Sequence, residues 1–131
     1  MESLDGIGAE HLGGFFVGWP DPPSPDTHLR MLRASDAVVL AVDEESGMVA
    51  GFVTAISDGV LAAYIPLLEV LPAYQRRGIG AELVRRMLAG FSSLYMVDLL
   101  CDDDLRSLYE AAGMHASGAM MVRNYAKQSG R

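Results

Sequence analysis

The stretch "VLPAYQRRGIGAELVRRML", residues 70–88, places four arginines around a Gly-x-Gly in a chain that is otherwise acidic. Residues 71–90 set Arg76, Arg77, Arg85 and Arg86 against Glu82 alone, whereas the whole chain carries 17 acidic and 10 basic side chains. Beyond the glycines, Ile79, Leu83, Met87 and Phe91, joined by Val84 and Leu88, recur at helical spacing. Glu82, Arg85 and Arg86 fall on the opposite face. A strand therefore runs through a glycine-bearing turn into an amphipathic helix. The first N–H groups of a helix lack partners within it, and the helix dipole is positive at that end. Glycine there lets a ligand approach the backbone closely. Together these are the parts of a phosphate cradle.

The bulk properties narrow the class. With 131 residues, half of them apolar, the chain is the size of one domain with a sizeable core. A net charge of −7 argues against general nucleic-acid binding, which depends on neutralising phosphates. The acidic remainder suits a cationic substrate such as an amine. No apolar run approaches the ~20 residues of a membrane helix, and the start, "MESLDGIGAE", lacks a signal-peptide pattern. The single cysteine, Cys101, leaves no internal disulfide and fits a reducing compartment. The expectation is a cytoplasmic protein without membrane or nucleic-acid partners.

Four prolines in "GWPDPPSPDTH" mark a turn-rich loop, after which "DTHLRMLRAS" reads as a short helix capped by Asp26 or Thr27. Three strands follow: Ala37–Val42, Met48–Ile56 and Val60–Val70, joined by the turns "DEESG" and "SDG". Pro66 interrupts the third. Proline cannot donate to a ladder and belongs at an edge or a bulge. After the helix come a strand in "SLYMVDLL", a helix in "DDDLRSLYEAAG" closed by Gly113, a last strand in "ASGAMMVRNY" and a frayed "AKQSGR" tail. The order predicts an α+β fold with one mainly antiparallel sheet and helices packed on it.

Two familiar cradles do not fit the loop. The P-loop requires G-K-[ST], which is absent, and the dinucleotide fingerprint requires a third glycine where Leu83 stands. Gln75–Arg76–Arg77–Gly78–Ile79–Gly80 instead resembles the Q/R-x-x-G-x-G/A signature of the GNAT superfamily of acetyl-CoA-dependent N-acetyltransferases. "DDDLRSLYEAAGM" is similar to a second motif of that family, with Asp102, Leu105, Tyr109, Gly113 and Met114 at matching places. The likeness runs from about residue 37 to residue 125 of a single domain spanning 1–131; residues 1–36 match poorly. Asp102 stands where asparagine is usual, and Leu105 where alanine is common.

The resemblance implies a fold and a set of roles. The strand carrying Pro66 is expected to splay from its neighbour, opening a cleft for acetyl-CoA. Main-chain groups of Leu68 and Val70 would meet the pantetheine and thioester. Gln75, Arg76, Arg77, Gly78, Ile79, Gly80 and Ala81 would wrap the pyrophosphate. Glu69 stands where family members carry a base, and its alternative is an ordinary exposed strand carboxylate. Tyr109 matches a tyrosine near the CoA sulfur and would act as the acid; it also belongs to the apolar face of its helix. The implied activity is acetyl transfer from acetyl-CoA to a primary amine. The alternative is a non-catalytic acyl-CoA-binding module. The short amino-terminal part is either reduced or completed by a second subunit, with a homodimer favoured.

The remaining candidates point elsewhere. Cys101 has no histidine partner in sequence and reads as a buried thiol. His11, His28 and His115 show no metal-ligand spacing, so no metal is expected. Phe15, Phe16 and Trp19 read as core or dimer contacts rather than as a substrate pocket.

Overall fold

The computed structural model describes residues 1–131. Three helices, α1 (Pro25–Ala34), α2 (Ile79–Gly90) and α3 (Arg106–Ala111), pack with four strands. The strands are β1 (Ala37–Val42), β2 (Val49–Ser57), β3 (Ala62–Val70) and β4 (Met96–Leu99), in that spatial order. β1–β2 and β2–β3 are antiparallel, and β3–β4 is parallel because α2 forms the crossover between them. This is the expected α+β sheet. No helix is long and apolar enough to cross a membrane.

The two faces of the sheet carry separate cores. On one, Leu12, Phe15, Phe16, Leu29 and Leu32 pack on Val38, Leu40 and Phe52. On the other, Leu83 and Met87 of α2 pack on Val39, Val53, Ala55 and Ile65. β2 is therefore buried on both faces along most of its length. Gly51 permits the close seat of α2: a Cβ there would lie 3.2 Å from the Glu69 carbonyl oxygen and 3.3 Å from Leu83.

Pro66 sits at a bulge. Thr54 faces Leu67 and Ile56 faces Tyr64, so Ile65 and Pro66 stand together opposite Ala55. The β3–β4 ladder runs from the Ala62–Met96 pair to the Ile65–Leu99 pair and stops there. Beyond the proline, Leu67–Val70 stay paired with β2 and have no partner on the other side. The β3–β4 ladder thus stops at the bulge, where the resemblance implied that the strands part.

Several boundaries differ from the sequence reading. Ser24, not Asp26 or Thr27, caps α1: its hydroxyl accepts the Thr27 N–H, and Pro25 takes the first helical position. The acidic "DDD" forms a 3₁₀ turn at Asp103–Leu105 before α3, and the Asp102 side chain makes no cap bond. Gly113, at φ 98°, ends α3, while Met114 N–H donates to the Tyr109 carbonyl. The last strand does not form: residues 114–124 have no regular structure and lie largely exposed. Nothing within the chain pairs with them, so strand propensity alone yields no ladder. The tail is less frayed than expected. Tyr125–Lys127 make a 3₁₀ turn, and Ser129 is buried near α1.

Candidate functional site

The loop 75–81 joins the end of β3 to α2. Arg76, at φ 66°, and Gly78, at φ 80° and ψ 8°, both take left-handed backbone conformations. Such turns direct successive N–H groups toward one side, forming an anion-binding nest. Among Arg76, Arg77, Gly78, Ile79, Gly80 and Ala81, no main-chain N–H donates to another group of the chain. The first intrahelical bond is Glu82 N–H to the Gly78 carbonyl. Left-handed φ explains the glycine at 78. At Gly80 the reason is access: a Cβ would be 3.8 Å from Val70 and 3.9 Å from Leu108 of α3. Gly80 thus marks where β3, α2 and α3 converge.

The arginines divide into two pairs. Arg85 and Arg86 both bind Glu82, at 2.6 and 2.7 Å, and hold its carboxyl down to about 2. Glu82 thus offsets one of their two charges on the helix surface. Arg77 lies over the Tyr74 ring, 5.4 Å from its centroid, and the Tyr74 hydroxyl donates to Asp43 at 2.6 Å. Arg76 and Arg77 have no carboxylate partner and supply the loop's positive charge.

Leu71 N–H donates to the Ala50 carbonyl, so alternation directs Leu67 and Glu69 main-chain groups to β2 and those of Leu68 and Val70 into the gap. The Val70 carbonyl accepts a bond from the Gln75 side chain at 2.9 Å. Gln75 therefore braces the loop against β3, which leaves the Val70 N–H facing the gap. Leu68 and Val70 side chains pack toward α2.

Glu69 points to the opposite face. Its Oε1 accepts the Phe16 N–H at 2.8 Å and its Oε2 the Val17 N–H at 3.3 Å. Phe16 is at φ 64°, a left-handed conformation that the carboxylate stabilises by satisfying both amides. This contact across 53 residues carries no sequence signal. A shallow apolar depression of about 240 Å³, lined by Met31, Thr54, Ile56, Pro66 and Leu67, opens on the same side of the sheet.

Tyr109, on α3, is 7% exposed; burial first, then the proximity of Cys101, pushes its hydroxyl up to about 12. It remains neutral at physiological pH. Cys101 itself is exposed, contrary to the buried thiol expected; it lies two residues beyond the end of β4 at Leu99, outside the paired strand. Phe15 and Phe16 are core residues as read, clustered with Phe52 around a buried His28. The structure thus brings together Leu68, Val70, the 75–81 loop and α3 at the gap. Glu69 lies on the other side of β3.

Comparison with known proteins places this arrangement. A model of the GNAT acetyltransferase family matches residues 4–114. A crystal structure of a protein from Deinococcus radiodurans R1, classed as an acetyltransferase, superposes with a TM-score of 0.95 at 48% identity. It covers 98% of this chain and 90% of that one. A GNAT-family acetyltransferase of Streptococcus pneumoniae TIGR4 gives a TM-score of 0.62 at 27% identity, over 72% of this chain and 76% of its own. The chloroplastic GCN5-related N-acetyltransferase 3 of Arabidopsis thaliana is 40% identical over 70 residues, 52% of this chain. That match spans 30% of the plant protein's length. With the family model covering most of the chain and the splayed strands beside the amide-lined loop, the protein belongs to the GNAT acetyltransferase family.

Proposed function

We propose that the protein transfers an acetyl group from acetyl-CoA to a primary amine on a small molecule or peptide. The observation that carries the reading is the run of unpartnered amides from Arg76 to Ala81, opening beside a strand pair that stops at Ile65–Leu99. Arg76, Arg77, Gly78 and Ala81 are exposed and Ile79 and Gly80 half-buried, so a ligand can reach these amides, and six in succession at a helix start suit a polyanion such as a pyrophosphate. The donor pyrophosphate would take these amides, with Arg76 and Arg77 adding charge. Pantetheine would run along Leu68 and Val70, bonding their free main-chain groups as an added strand does.

In the reaction the amine nitrogen attacks the thioester carbonyl carbon, the C–N bond forms and the C–S bond breaks. The proton shed by nitrogen passes to a base and then to solvent. Glu69 is the proposed base, because each oxygen keeps a lone pair beyond those used by Phe16 and Val17. Tyr109 is proposed to donate a hydrogen bond to the departing sulfur. With its hydroxyl at about 12, against roughly 8.5 for a thiol, full proton transfer to the thiolate is uphill. The thiolate therefore leaves hydrogen-bonded and takes its proton from water.

A second reading is supported by the Glu69 contacts: a carboxylate engaged by two amides is what a non-catalytic acyl-CoA-binding module would also hold. Calorimetric titration with acetyl-CoA, followed by measurement of free CoA released across an amine panel, separates the two. Acetyl transfer predicts binding with turnover on at least one amine. Binding with turnover on none selects the module, and absence of binding removes both.

A further inference from the structure

We propose that Asp43 and Tyr74 are positioning residues for the 75–81 loop, holding it in its anion-receiving shape from outside the loop itself. This deepens the acetyl-CoA reading and rests on it for the identity of the ligand. Arg76 shows why such a brace is needed. It is exposed, is not glycine, and stands at φ 66°. A left-handed conformation strains a residue that carries a Cβ, and it persists where surrounding contacts over-determine it. Arg76 forms no ion pair of its own. Both of its neighbours, however, are tied down. Before it, the Gln75 side chain donates to the Val70 carbonyl at 2.9 Å. After it, the Arg77 guanidinium lies 5.4 Å from the centroid of the Tyr74 ring, within reach of a cation–π attraction.

Tyr74 is itself held. It closes the 3₁₀ turn Pro72–Tyr74, and its hydroxyl donates to Asp43 Oδ2 at 2.6 Å. Asp43 is a firm anchor because it directly follows β1 at the turn into β2. Its N–H donates to the Met48 carbonyl at 2.9 Å, and its own carbonyl accepts the Gly47 N–H at 2.7 Å. Asp43 Oδ1 accepts the Glu45 N–H at 3.0 Å, which leaves Oδ2 for Tyr74. The bond between them draws the Asp43 carboxyl below its ordinary value and the Tyr74 hydroxyl above its own. Carboxylate and phenol therefore stay paired through neutral pH, in a bond stronger than one between neutral groups.

The hairpin thus fixes the ring, the ring fixes Arg77, and Arg77 with Gln75 confines Arg76 from both sides. Neither Asp43 nor Tyr74 bonds an amide of residues 76–81, so their effect reaches a ligand only through the loop. A nest formed in advance binds without the ordering cost that a mobile loop would carry.

Calorimetric titration with CoA tests the brace, together with the backbone carbon-13 shifts of Arg76 in the unliganded chain. Tyr74→Phe keeps the ring and deletes the hydroxyl alone. CoA affinity should fall roughly three- to tenfold, about the worth of one hydrogen bond. The KM for acetyl-CoA should rise in step while kcat holds, and the Arg76 shifts should leave their left-handed values. Asp43→Ala should weaken CoA binding to a like degree and add nothing once Tyr74 is replaced. Wild-type affinity in Tyr74→Phe overturns the proposal, as do weakened binding with unmoved Arg76 shifts and two substitutions whose effects add. A wild-type chain that binds no CoA removes the donor reading instead. The Arg76 shifts then decide the brace alone, their movement in Tyr74→Phe upholding it and their constancy overturning it. Should circular dichroism show Tyr74→Phe misfolded, Asp43→Ala is read by the same two measurements.

Discussion

Glu69 Oε1 lies 2.8 Å from the main-chain nitrogen of Phe16, and its Oε2 takes the Val17 N–H beside it. One carboxylate therefore fixes the amino-terminal loop to the strand that borders the gap. If Glu69 also accepts the proton of the amine, its two duties can be separated by substitution. Glu69→Gln keeps one acceptor and sets an NH₂ against a backbone donor. Turnover should fall about 10²- to 10⁴-fold, the usual worth of a positioned base. Losing a charge-assisted bond should also cost about 1–3 kcal/mol of stability. Acetyl-CoA affinity should stay near wild type, because the amide-lined loop is on the other side of β3. Wild-type turnover with lowered stability would leave Glu69 as a loop clamp alone.

The two loop glycines should behave differently. Gly80 has room for a side chain against the protein, its Cβ position 3.8 Å from Val70 and 3.9 Å from Leu108. Gly80→Val should therefore fold with a melting temperature within a few degrees of wild type while filling space that the donor needs. Acetyl-CoA affinity should drop by at least about two orders of magnitude, or ~3 kcal/mol. Gly78→Val adds strain, since φ 80° is left-handed and costs a β-branched residue on the order of 1–2 kcal/mol. A Gly80→Val protein that bound acetyl-CoA as the wild type does would displace the nest from the reading. Calorimetry and thermal melts distinguish these outcomes.

Local pattern made much of this site legible. Gln75–Gly80 specified the turn, the spacing of Ile79, Leu83 and Met87 specified α2, and Pro66 marked the bulge where β3 and β4 part. Each signal is local: a forced φ, a helical period, a missing donor. The hold of Phe16 and Val17 on Glu69, the brace from Gln75 to Val70 and the parking of Arg77 over Tyr74 each depend on tertiary proximity. The segment at 115–123 shows the opposite failure. Its composition favours a strand, but a strand requires a neighbour, and the chain supplies none.

Tyr109 should betray its burial at alkaline pH. Its hydroxyl titrates near 12 in the folded chain against about 10 when exposed, so the folded state holds its proton more tightly. The corresponding stability is fully present below pH 10 and is lost as pH rises toward 12. The whole effect is of order 2–3 kcal/mol. Tyr109→Phe should flatten that alkaline loss in denaturant titrations at pH 9, 10 and 11. It should also lower turnover more than acetyl-CoA affinity, because the hydrogen bond to the leaving sulfur matters as charge develops there. If Tyr109→Phe turned over at the wild-type rate, the hydrogen-bond role would be lost and packing would remain.

His28 governs the acid side. It is 1% exposed among Phe15, Phe16 and Phe52, and neither ring nitrogen has a partner in the chain. Burial lowers its pKa from 6.5 to about 4, so the unfolded state binds a proton that the folded state refuses. Stability is fully present above pH 6.5 and is lost as pH falls toward 4, by about 3 kcal/mol in all. His28→Phe keeps the aromatic packing and removes two unsatisfied polar atoms. The variant should match or exceed wild-type stability at pH 7 and lack the His28 share of the loss between pH 6.5 and 4. Urea midpoints at pH 7, 6, 5 and 4 measure the difference. Equal slopes for the two proteins would mean that His28 is protonated inside the fold, and hence that its ring has a hydrogen-bond partner there.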